Sequence, residues 1–156
     1  MGSITGGNEK AQKPAIGLSS ASWATSEAVR RSMRSNRRTN TKPELAVRRA
    51  LHGRGLRFRK DYRIGVQGYN VKPDIVFTRA RIALFVDGCF WHRCPMHASD
   101  PKANAAYWIT KLEGNVRRDR RTDAVLRTGG WTVVRVWEHE DPDDVAERIY
   151  KMVYPR

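Results

Sequence analysis

VKPDIVFTRARIALFVDG, residues 71–88, decides the fold: two apolar runs are separated by the short turn Thr78-Arg79-Ala80. Short runs rich in β-branched and aromatic residues, bounded by turn formers, read as strands. The second run, RIALFVDG, is apolar almost throughout, which predicts a strand covered on both faces at the centre of a sheet. Upstream, LRFRKDYRI (56–64) alternates apolar and basic residues with the period of a half-buried strand, and VQGYN (66–70) reads as a turn. Downstream, Gly129-Gly130 stops a helix and WTVVRVW (131–137) forms another buried strand.

The helices flank these strands. Ser26 is an N-cap candidate for EAVRRSMRS (27–35), and Thr41 caps KPELAVRRALHGRG (42–55), with Pro43 in the first turn and Gly53 or Gly55 at the end. Leu45, Ala46, Ala50 and Leu51 form the expected apolar stripe of that second helix. A third helix is expected over residues 105–128, broken at Gly114, and DPDDVAERIYKMVY (141–154) closes the chain with acids in its first turn. The order ααβββαβα predicts an α/β fold with a mixed central sheet and helices on both faces. Residues 1–24, rich in Gly, Ser, Ala and Lys, are expected to form a disordered tail, leaving one domain over 25–156.

Thirty Lys and Arg against sixteen Asp and Glu give a net charge of +14, and this surplus points to a polyanionic partner, nucleic acid before any other. Between Arg30 and Arg63 stand thirteen Lys/Arg and two acids, a bias that favours phosphate contact by Arg34, Arg37, Arg38 and their neighbours over a merely solvated face. No stretch approaches the roughly 18 apolar residues of a spanning helix, and no apolar leader is present, so a cytoplasmic protein without a membrane partner is expected.

The metal-binding residue types are clustered. Cys89-x4-Cys94-x2-His97 lies in the loop after RIALFVDG, and His139 follows the next strand. If the two strands are neighbours, their ends share one sheet edge, and the four side chains can close a tetrahedral Zn2+ site. His92 is a fifth candidate for four places. It is the one expected to be left for other work. Asp74 opens an apolar strand and Asp87 ends the next, so Asp74, Asp87 and His92 converge beside that loop. Carboxylate oxygens at such a position suit Mg2+, which stabilises charge on a phosphate and activates water.

GCFWHRCPMH (88–97), YWITKLEGNVRRDRR (107–121) and GGWTVVRVWEHE (129–140) together resemble the Vsr DNA mismatch endonucleases, as do SMRSNRRTNTKPELAVRRAL (32–51) and KPDIVF (72–77). G-C-F-W-H and K-x3-N-x3-D-R-R are the most specific parts. The resemblance implies a restriction-endonuclease-like fold of the PD-(D/E)xK type, Mg2+ for catalysis, a structural zinc, and a nick beside the thymine of a T:G mismatch in double-stranded DNA. It implies that Asp74 is the central Mg2+ ligand, with the Val86 carbonyl as a second contact. His92 is implied as the general acid/base, with Glu44 as an acidic group near the metal. Phe90, Trp91 and Trp108 match aromatics that insert beside the mismatch, Met33 matches a wedge from the other groove, and Lys111 and Asn115 belong to the DNA-contacting motif. A monomer suffices for a single nick.

The chain departs from that pattern in three places. Val86-Asp87 stands where the family has a Thr-His pair, leaving Asp87 either a metal ligand or another part of the site. His139 replaces a cysteine among the zinc ligands, and Cys94/His97 replace a His-x-Cys arrangement. The lysine of the wider superfamily's D/E-x-K motif is absent after Val86, and His92 takes its place. Two other readings follow from the same residues: a Vsr-like endonuclease with a sequence- or modification-directed target in a defence system, and a non-catalytic zinc-stabilised DNA-binding module. The carboxylates count against the second, since binding phosphates requires none.

Overall fold

The computed structural model describes residues 40–97, 99 and 104–155. Its sheet is built around β4 (Ile82–Asp87), which pairs antiparallel with β3 (Ile75–Phe77) and parallel with β5 (Thr132–Trp137). The β3–β4 connection is a tight turn ending at Arg81, whose φ is 52°. Parallel pairing of β4 with β5 requires a long crossover, and α2 (Ala105–Thr128) supplies it. β1 (Ile64–Val66) and β2 (Tyr69–Val71) form a separate antiparallel hairpin.

Helices cover both faces of the sheet. α1 (Lys42–Gly53) and α3 (Pro142–Val153) pack together on one side, where Val47, Leu51, Val145 and Ile149 join Ile75, Leu84 and Val136 in the larger core. On the other side Leu126 of α2 meets Val76 and Ala83 of the sheet and Ile64 and Val66 of the hairpin. The α/β class and the mixed sheet are therefore as expected. Among the described residues no helix is long and apolar enough to cross a membrane.

Three local expectations are corrected and one is narrowed. LRFRKDYRI is not one strand: Leu56 is buried, Phe58 packs on the larger core, Arg59 forms an isolated bridge to Val76, and only Ile64 belongs to a strand, as the first residue of β1. Its alternation records packing beneath α1 rather than a ladder. The turn expected over VQGYN is present but narrows to Gln67-Gly68, the tip of the β1–β2 hairpin, with φ of 47° and 82°, the signs that a type I′ turn demands. α2 runs unbroken through Gly114. In α1 the inward face is Glu44, Val47 and Leu51, whereas Leu45 is exposed. The helix expected from Ser26 lies outside the described residues.

Candidate active site and metal centre

The sheet edge formed by the start of β3 and the end of β4 gathers the polar residues. Asp74 immediately precedes β3, and its Oδ2 accepts a hydrogen bond from the Val86 N–H at 2.8 Å, joining this carboxylate to the Val86 peptide. From the N-terminus of α1, Glu44 approaches the same place, although only 3% of its surface is exposed. Thr41 caps α1 and bonds Glu44, whose Oε2 also accepts from the Asn40 N–H at 2.7 Å and from Arg48 at 3.2 Å. Arg48 reaches the Asp74 carbonyl as well, at 3.5 Å. Glu44 thus has a cation of its own, while the Asp74 carboxylate is held by a backbone N–H.

Burial raises the Asp74 carboxyl to about 6, against the Val86 hydrogen bond, and the negative charges of Glu44 and Asp87 push the same way. A carboxyl that holds its proton more tightly folded than unfolded favours folding most at low pH. That contribution is lost as pH rises from about 4 through about 6. Asp74→Asn should therefore stabilise the protein in Mg2+-free buffer near neutrality by on the order of 2 kcal/mol, a gain that shrinks towards acid pH. Urea unfolding of both proteins at about pH 8 and about pH 4.5 measures this. An equal effect at both values would contradict it.

Asp87, 5% exposed, ends β4 with both carboxylate oxygens 2.9 Å from Arg135 Nη1. Burial pushes its carboxyl up, while His92 and Arg135 pull it down. His92 sits in the turn after β4, where its N–H donates to the Gly88 carbonyl at 3.1 Å. Its Nδ1 lies 2.6 Å from Asp119 Oδ2 and 3.7 Å from Asp87 Oδ1. An ionised carboxylate at that distance calls for the proton on Nδ1, which leaves Nε2 as the basic atom.

Asp119 stands in the K-x3-N-x3-D motif, and reading the sequence alone misses its role. The signal was available: Lys111, Asn115, Asp119 and Asp123 recur every four residues, which puts them on one face of a helix.

The loop after β4 and the end of β5 bring together Cys89, Cys94, His97 and His139, whose ligand atoms all lie within 4.8 Å of one another. Cys89 Sγ is 3.1 Å from His139 Nδ1 and 4.0 Å from His97 Nδ1; Cys94 Sγ is 3.8 Å from each; and the two Nδ1 atoms are 3.2 Å apart. Tetrahedral Zn2+ with its usual bond lengths requires S···N near about 3.6 Å and N···N near about 3.3 Å, so the donor set fits. Neither cysteine is in a disulfide. Burial, then Cys94 and Glu138, push the Cys89 thiol up to about 11, so a thiolate there needs a cation beside it. The Cys89 N–H donates to Glu138 at 2.7 Å, tying the loop to the end of β5.

The aromatic residues form one cluster beside this loop. Phe90, Trp91 and Trp108 have ring centroids 5.1 to 5.9 Å apart, and the Lys111 ammonium lies 5.6 Å from Trp91 and 5.3 Å from Trp108. Trp108 is 9% exposed and forms the floor of the cluster; Phe90 and Trp91 are half-buried above it. Asn115 Nδ2 donates to the Trp91 carbonyl at 3.1 Å. Met33, Arg34, Arg37 and Arg38 lie outside the described residues.

Comparison with known proteins gives concordant matches. The family model described as DNA mismatch endonuclease Vsr matches residues 23–97. Over 121 residues, 76% of this chain and 72% of the relative, the sequence is 51% identical to type II nicking enzyme V.NaeI of Lentzea aerocolonigenes. Over 111 residues, 69% of this chain and 67% of the relative, it is 34% identical to DNA mismatch endonuclease Vsr of Escherichia coli (strain K12). Among solved structures, the homing endonuclease I-Bth0305I catalytic domain aligns at 22% identity with a TM-score of 0.47, covering 72% of this chain and 93% of that one.

Proposed function

The chain belongs to the Vsr family of DNA endonucleases, and from that premise we propose that it cuts one strand of duplex DNA at a T:G mismatch, with Mg2+ as the catalytic ion. The observation that carries this reading is that the end of β4 joins two pairs, the Asp74 carboxylate on the Val86 N–H and, through Asp87 at 3.7 Å from the imidazole, His92 on Asp119. A base oriented by a carboxylate then stands next to hard oxygen ligands, on a protein of net charge +14.

In this mechanism the Asp74 carboxylate and the Val86 carbonyl would hold Mg2+, which would supply charge neutralisation at the phosphate and make water a better nucleophile. His92 Nε2 takes the proton of the attacking water, and Asp119 keeps the imidazole in the required tautomer and stabilises its charged form. Glu44 adds negative charge beside Asp74 and so strengthens its hold on a cation. Asp87 has both oxygens engaged by Arg135, so its part is to support His92 rather than to bind metal. Cys89, Cys94, His97 and His139 would hold Zn2+, which would fix the loop that bears Phe90, Trp91 and His92.

Phe90 and Trp91 wedge into the base stack, with Trp108 behind them and Lys111 and Asn115 beside them. Unstacking costs a few kcal/mol per step and least at a mispair, so the wedge selects through deformation. Trp91→Ala should lower single-turnover nicking of a T:G duplex by about a hundredfold or more, equivalent to those few kcal/mol. Salt-dependent binding to matched DNA, dominated by the basic segment between Arg30 and Arg63, should change little. An unchanged nicking rate would assign Trp91 to packing alone.

The type II nicking relatives favour a second version of the target, a site defined by a restriction system rather than by general repair. Nicking across duplexes bearing each mismatch, in several flanking sequences, separates the two. The proposal requires T:G to be cut best, and equal cutting of matched duplexes would overturn the mismatch assignment.

A further inference from the structure

Arg135 is a charged residue in the otherwise apolar run Thr132–Trp137, with its guanidinium 4.5 Å from the centre of the Phe85 ring. Its side chain is only 21% exposed, which demands compensation of its charge, and it has three carboxylates. Nη1 is 2.9 Å from both oxygens of Asp87, Nε is 3.0 Å from Asp123 Oδ1, and Nη2 is 3.4 Å from Asp119 Oδ1. Tethering α2 to β5 needs only the Asp123 contact. The other two lead elsewhere. The second oxygen of Asp119 is 2.6 Å from His92 Nδ1, and Asp87 Oδ1 is 3.7 Å from the same nitrogen. Both carboxylates that face the imidazole are therefore gripped from behind by one rigid, planar fork.

We infer that Arg135 is a positioning residue of this nuclease: by holding Asp119 and Asp87 in fixed places it sets the orientation of His92 towards the scissile phosphate. The inference rests on the assignment of His92 as the base. Without the guanidinium, Asp87, Asp119 and Asp123 repel one another, and Asp119 loses the cation on its second oxygen, keeping only His92 on the first. Lysine keeps the charge but cannot present donors to three carboxylates at once.

Arg135→Lys tests this in the full-length protein with zinc bound. Its single-turnover nicking rate should fall by about a hundredfold, as expected for a catalytic group displaced by an ångström, while DNA affinity and zinc content stay unchanged. Adding Arg135→Lys to Asp119→Asn should cost no more than about threefold beyond Asp119→Asn alone, since both changes break one path. Nitrogen-15 spectra of the histidine side chains give a readout independent of turnover: His92 should be the Nδ1–H tautomer in the wild type and a mixture in Arg135→Lys. A near-wild-type rate, additive effects or an unchanged His92 tautomer would overturn the inference. If the wild-type protein itself does not nick DNA, it is the nuclease mechanism that fails, and the two outcomes are distinct.

Discussion

Asp74→Ala should lower Mg2+-dependent nicking by about a thousandfold or more, because several kcal/mol of charge stabilisation at the phosphate depends on the ion it holds. DNA affinity should be nearly unchanged, since the basic residues that meet phosphates are separate from this carboxylate. Glu44 and Asp87 cannot take over: Arg48 occupies the first and Arg135 the second. The Asp74 carboxylate accepts from the Val86 N–H and stands in a buried setting that raises its proton affinity to about 6, which is also a setting in which a divalent cation binds a carboxylate well. Single-turnover kinetics with parallel equilibrium binding measures both quantities. Residual cleavage within an order of magnitude of wild type would remove Asp74 from the centre of the mechanism.

Losing the metal centre should have the second large effect. Metal analysis of purified protein should find one Zn2+ per chain. Removal by a strong chelator, or Cys94→Ala, should lower the melting temperature by about 10 °C or more, as the loss of a structural metal does. Cys94 has no exposed surface, and beside it burial keeps Cys89 a neutral thiol when no cation is present. The part of the loop around Cys94 and His97 would then lose the ligand bonds that tie it to His139 at the end of β5, keeping Cys94 N–H to the Cys89 carbonyl at 2.9 Å and Cys89 N–H to Glu138. Nicking should fall with the zinc. Protein free of zinc and indifferent to chelator would contradict the assignment. His97→Ala retaining zinc while His92→Ala loses it would exchange the roles of the two histidines.

The strands of the sheet were legible because their signal is local: IALFVD and TVVRVW are largely apolar runs of strand length, although β5 lies at the edge of the three-stranded sheet and only its Val136 is buried, where a buried strand was expected. The meeting of Cys89, Cys94, His97 and His139 was legible for a related reason, since strands that pair in parallel place their C-terminal ends side by side. What escaped was polar structure at buried positions. Glu44 occupies an inward place on α1, so an apolar stripe drawn through Leu45 came out one residue out of phase. Arg135 reads as part of a buried strand and Asp119 as part of a charged helix, because their meaning lies in distant partners, Asp87 at 48 residues from Arg135 and His92 at 27 from Asp119. Local pattern fails where a site sets aside the rule that burial means apolar. The alternation in LRFRKDYRI misled in the opposite sense, since the same period arises when two apolar residues pack beneath a helix without any strand partner.

The central claim is that Asp74, His92 and Asp119 make this chain a magnesium-dependent enzyme that cuts one strand at a mispair. The most direct measurement is cleavage of a duplex carrying one T:G mismatch, with a different label on each strand, beside the fully matched duplex, with and without Mg2+. The predicted result is a single cut in the thymine-bearing strand, seen only with Mg2+, with the other strand and the matched duplex intact. No cut in either strand of either duplex, or cutting that persists without a divalent metal, would contradict the account.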